Sequence, residues 1–187
     1  MPSSIFENSL DGEGMSTPGS ARFLTPTESS AWLASRGLVE KPAAGAPGTN
    51  FFQFAPRPTF VSLRELFTAL LAVSEPFDGG LLLFDSWHWE GGCASDPTAS
   101  YRRGRGDSRS LHQVPGFVVG ANEAMEAAEL LAMTVERRWG ATFYSASKRV
   151  TFVLRDGNQV DVFATHLGVE RCIQHRLVEL GAVLFIP

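Results

Sequence analysis

Cysteine is scarce: there are two in 187 residues, Cys93 and Cys172. That excludes a disulfide framework, leaves at most one bridge between the pair, and points to a reducing compartment, the cytoplasm. Long hydrophobic runs are missing as well. Residues 81 to 84, L-L-L-F, have the length of a buried strand and fall far short of the ~18 residues that cross a bilayer, so no membrane partner is expected. The opening M-P-S-S-I-F-E-N-S-L-D-G-E-G has neither a basic start nor an apolar stretch, so no signal peptide is read there. Residues 11 to 14, D-G-E-G, require purine-rich codons that resemble a ribosome-binding site, which makes Met15 a candidate start of translation. Internal repeats, G-x-S-x-G, H-E-x-x-H and a P-loop are all absent, which removes the best-marked hydrolase, metalloprotease and nucleotide classes. Tyrosine is rare, with two against fourteen phenylalanines, so the aromatic content belongs mainly to an interior.

What is present fits one ordinary domain with its own core. Apolar residues make up 44% and charged residues 19% of the chain, and the net charge of -4 argues against direct nucleic-acid binding and for a basic protein partner. Residues 1–24, polar and rich in Ser and Gly, read as a flexible N-terminal arm, and residues 25–187 as the domain. T-P-T-E at 25–28 opens a helix with a capping box and a proline in its first turn, and Gly37 ends it. F-F-Q-F at 51–54 reads as a strand, placed at a sheet edge by Pro56 and Pro58. S-L-R-E at 62–65 caps a second helix carrying Leu63, Leu66, Phe67, Leu70 and Leu71 at helical spacing.

Gly79-Gly80 introduces L-L-L-F-D-S-W-H-W, a central strand, followed by a long polar loop over 91–110. Pro115-Gly116 is a turn. A helix over 123–138, capped by Asn122, has Met125, Ala128, Leu131, Ala132 and Val135 as its inner face, Arg137 and Arg138 at its C-terminal end, and Gly140 as its stop. A strand at 141–145 precedes the clearest hairpin in the chain, R-V-T-F-V-L at 149–154 and Q-V-D-V-F-A at 159–164 joined by R-D-G-N. A helix over 167–180 and a closing strand at 182–186 complete an α+β fold: a mostly antiparallel sheet flanked by helices.

Several constellations carry possible chemistry. His88, Cys93, Cys172 and His175 form a Cys2His2 set in composition, but their spacing matches no zinc module, and separate structural roles outweigh a metal site; no cofactor is expected. Cys93, in G-G-C-A-S, is the candidate nucleophile of a hydrolase or transferase, with His88, His112 or His166 as base and Asp85 or Asp96 to orient it; the blander reading is a free thiol in a loop. Asp85 and Glu90 lie an odd five residues apart, on opposite faces of a regular strand, which weakens them as an acid–base pair. The arginines at 102, 103, 105 and 109 have the chemistry of an anion clamp, although ion pairs with nearby acids are the plainer use. On a regular strand Asp85, Trp87 and Trp89 point one way and Ser86, His88 and Glu90 the other. Paired tryptophans on one face usually cover a core; at a surface they would be anchors for a partner.

Together the stretches L-L-L-F-D-S-W-H-W, Y-R-R, G-D-S-R-S-L, V-P-G-F, R-R-W-G and F-V-L-R-D-G-N-Q-V-D-V, all within residues 80–164, resemble a group of small bacterial proteins that look like immunity proteins, the cytosolic antidotes to secreted interbacterial toxins. Where that group runs on into W-x-x-W-P-S, this chain has W-H-W-E-G-G. The group offers no catalytic residues to carry over. The resemblance implies a cytoplasmic binding protein that occludes the active site of a toxin, a basic enzyme such as a nuclease, through Asp85, Trp87, Trp89, Glu90, Tyr101 and Asp107. A Cys93-dependent enzyme and a secretion-system adaptor are the alternatives.

Overall fold

Local sequence signals set most of the elements. In the computed structural model, which describes residues 22–46, 48–56, 61–73, 76–87, 96–156 and 159–185, Thr25 caps helix α1 (Pro26–Ser35), and its side chain and the Glu28 carboxylate complete the capping box. At its far end Gly37, at φ 61°, lets the Gly37 and Leu38 N–H groups turn back onto the carbonyls of Ala34 and Leu33. Ser62 and Glu65 make the same reciprocal cap on helix α2 (Leu63–Val73), which buries Leu66, Phe67, Leu70 and Leu71. Two helices follow, the short α3 (Ala99–Gly104) and the long α4 (Ala124–Glu136), and α5 (Leu167–Glu179) is the last.

The strands are β1 (Arg22–Leu24), β2 (Asn50–Ala55), β3 (Gly80–Ser86), β4 (Gly116–Val119), β5 (Gly140–Ser145), β6 (Val150–Arg155), β7 (Gln159–Ala164) and β8 (Val183–Phe185). They form one eight-stranded sheet in the order β1-β4-β3-β5-β6-β7-β2-β8, with every neighbouring pair antiparallel. The fold is a single α+β domain, as the alternation of apolar and polar residues predicts.

One face of the sheet, presenting Phe52, Phe54, Leu82, Phe84, Phe117, Phe143, Phe152 and Val162, packs against α2, α4 and α5 in the main core. The other face carries a smaller cluster, Leu24, Leu33, Leu81 and Tyr144, under α1. The Tyr144 hydroxyl donates to the Glu40 carbonyl, which ties the chain following α1 down onto this second face.

Several expectations are corrected. Residues 22–24 are not arm but strand β1, held by pairing with β4 and by burial of Phe23 and Leu24; residues 1–21 lie outside the described residues. Strand β2 is not at an edge, because β8 pairs along its other side over Gln53–Ala55, the residues just before Pro56. The loop 91–110 contains α3, and residues 91–95 lie outside the described residues. Pro115-Gly116 leads straight into β4, which the sequence reading missed. The N-cap position of helix α4 is Glu123 rather than Asn122, with no side-chain cap, and Met125 is 56% exposed instead of facing inward. Its C-terminus is closed by Arg138 at φ 54°, so Gly140 is free to open β5.

Candidate functional site

Strand β3 leads into the acidic and aromatic residues of the expected contact set. Its pairing with β5 is regular from Gly80↔Ser145 to Phe84↔Ala141, then slips to Ser86↔Gly140. Asp85 is the extra residue, a β-bulge, the device that re-aims side chains near functional sites. The bulge changes the parity of everything after it. Leu81, Leu83 and Asp85 belong to the second face; Ser86 joins them instead of crossing over, and Trp87 packs against the main core with Leu82 and Phe84. The expectation that Asp85 and Trp87 share a face is therefore overturned: they stand on opposite sides of the sheet.

Asp85 and Ser86 open onto a cleft of about 310 Å³ lined also by Lys41, Pro42, Gly140, Thr142, Val153, Arg155 and Asp156. Gly140 has no side chain for a specific reason. A Cβ there would lie 2.3 Å from both Asp85 Oδ1 and Ser86 Oγ. Its N–H donates to Ser86 Oγ at 3.0 Å, which holds that hydroxyl beside the Asp85 carboxylate. Crowding by the walls raises the Asp85 pKa above its ordinary value; Lys41 and Ser86 pull it down less, and Asp156 adds to the rise. On the same face lies Tyr144, whose phenol is pushed up to about 12, chiefly by burial.

Charges on the cleft wall do not cancel. Arg155 is committed to Asp161, with Nε 2.6 Å from Oδ2, and Asp161 also accepts from Gln53 at 2.9 Å. With that pair neutral, two acids, Asp85 and Asp156, face one cation, Lys41, and among the described residues no cation lies within ion-pair distance of Asp85.

No family model, no curated protein and no solved structure matches the chain. The site is therefore read from its own geometry. Trp87 is half-buried with its ring 4.8 Å from that of His112, so this histidine serves as a packing partner. Tyr101 stacks on Phe117 at 6.0 Å, meets Phe23 edge-on, and has the Arg105 guanidinium 3.9 Å from its ring centre. Its faces are thus engaged within the molecule. Asp107 accepts from Arg109, which holds its carboxyl below the usual range. Arg102, 2% exposed, donates to Thr98, to Asp96 and to the Arg109 carbonyl. Three of the four arginines of this stretch are accordingly taken up by internal contacts.

Trp89, Glu90, His88 and Cys93 lie outside the described residues, and Cys172 is exposed on α5, where His175 pairs with Glu179 at 3.5 Å. No group of three or more His, Cys, Asp or Glu side chains converges as a cation site among the described residues, and no helix there is long and apolar enough to cross a membrane. Of the sequence-predicted contact residues, Asp85 is the one the structure sets in a cleft. Thr142, Gly140 and Lys41 were missed, because strand pairing brings the first two to Asp85 and the contact of Tyr144 with the Glu40 carbonyl brings the third.

Proposed function

We propose that the protein is an immunity protein: a cytoplasmic binding protein that neutralises a secreted interbacterial toxin, a basic enzyme such as a nuclease, by covering its active site. The observation that carries this reading is the bulge at Asp85. It sets an under-compensated carboxylate at the mouth of an open cleft, where a basic surface would supply the missing positive charge. The net charge of -4 favours the same partner through long-range attraction. The sequence resemblance over residues 80–164 supplies the biological setting. The interface is centred on the second face of the sheet, with Asp85 as its first contact, and Tyr101 and Asp107 act from within the fold.

Capture from the native bacterium tests the reading. Tagged full-length protein is expected to retain one toxin-domain protein in near-equal amount and to protect cells that express that toxin. Asp85→Lys is expected to slow association by roughly tenfold, the effect of reversing a steering charge. Retention of no toxin by the folded protein removes the proposal.

A further inference from the structure

The cleft at the β3 bulge is more specific than an acidic spot. Its walls are of two kinds. Pro42 and Val153 are apolar, while Asp85, Ser86, Thr142 and Asp156 offer oxygen acceptors at the same opening. The Gly140 N–H holds Ser86 Oγ, and the bulge sets Asp85 Oδ1 over the same glycine, so the two side-chain oxygens share one point of the wall. The rim is fixed too, because the hydroxyl of Tyr144 holds the Glu40 carbonyl and so sets Lys41 and Pro42 in place. Arg155, which lines the same cleft, is paired with Asp161. A guest that fits both kinds of wall has an apolar stem and a planar cationic head. A guanidinium matches carboxylate geometry with two parallel N–H donors and gives up its hydration more readily than an ammonium.

We infer that this cleft is a socket for one arginine side chain of the protein partner, with Asp85 as the bidentate acceptor and Ser86 and Thr142 at its sides. The identity of the occupant as a toxin arginine rests on the antidote reading above; the socket itself does not.

Methylguanidinium is the probe, with methylammonium as the comparison, added to the isotope-labelled full-length protein and followed by NMR. Methylguanidinium is expected to shift the amides of Ser86, Gly140 and Thr142 in a saturable way and more strongly than methylammonium does. Asp85→Asn, a change of one atom type at an exposed position, is expected to weaken that response by roughly 10- to 100-fold, the fold-change of losing a hydrogen-bonded charge pair. Absence of the response, or a response equal in Asp85→Asn or equal for both cations, overturns the socket. Toxin retained equally by wild type and Asp85→Asn also overturns it and leaves the antidote standing. A saturable, Asp85-dependent response with no toxin captured supports the socket and removes the antidote.

Discussion

Gly140 shows how much a single residue can be asked to do by leaving space empty. Two oxygens of β3 occupy the volume its Cβ would take, and neither is the free end of a long side chain. Gly140→Ala must therefore push the bulge away from β5. The expected loss is about 1–3 kcal/mol, the usual cost of overpacking, and a urea titration would measure it. The same substitution should free the Ser86 hydroxyl from the Gly140 N–H and loosen Asp85, so the cleft suffers along with the stability. Arg102 stands at the other extreme: its charge is almost wholly buried, and each side of the guanidinium meets an acceptor. Sequence reasoning placed an ion pair in this stretch but not its depth, because depth depends on how the chain packs around the guanidinium and not on the spacing of charges.

Among the elements, α1 is the one whose beginning is most completely written in a few residues. Thr25, Pro26 and Glu28 sit where a helix start wants them, and the Thr25 hydroxyl takes the Glu28 N–H at 3.3 Å. Thr25→Ala is expected to cost about 1 kcal/mol, seen as a lower midpoint in thermal or urea unfolding. Such features were legible because they are local. The hairpin of β6 and β7 was legible for the same reason, since the alternation of its residues and its turn lie within sixteen positions. The position of β2 was not, because it depends on β8, more than a hundred residues later. Nor was the bulge: a register slip is a property of two strands, and F-D-S-W alone reads as ordinary alternation. That slip decides which side of the sheet Trp87 takes, so the candidate site was misread at the one place where long-range pairing overrides the local pattern. Helix α4 adds a smaller lesson. Gly140 looked like its stop, yet the left-handed turn fell on Arg138, and the glycine was needed for space two residues on.

For the whole molecule, titration sets a balance between opposed carboxylates. Hydrogen bonds from Thr98 and Arg102 hold Asp96 below its ordinary value in spite of its burial, and hydrogen bonds from Arg109 do the same for Asp107. A depressed pKa gives stability that is present above the unfolded value and lost as pH falls through the folded one. Asp85 works the other way. Its folded pKa lies above the unfolded value near 3.8, so its ionisation withdraws stability as pH rises through that interval. Asp85→Asn is therefore expected to match wild type well below pH ~3.8 and to melt higher than wild type at neutral pH. Thermal melts across the acid range would check it, and a variant no more stable than wild type at pH 7 would show that the carboxylate is not crowded. This extra stability would accompany weaker capture of an arginine, as expected where a binding group is held in an unfavourable setting until its partner arrives.

The order of the strands has a consequence for distance. The first and the last strand of the described chain, β1 and β8, are the two outermost of the eight. Seven steps of ~4.8 Å put Arg22 and Phe185 about 34 Å apart across an untwisted sheet. A dye pair at these two positions would span the full width of the sheet, so energy transfer between them would report the integrity of every intervening strand at once. By the same measure, a segment joining Phe185 to Arg22 in a circularly permuted chain would need at least roughly ten extended residues.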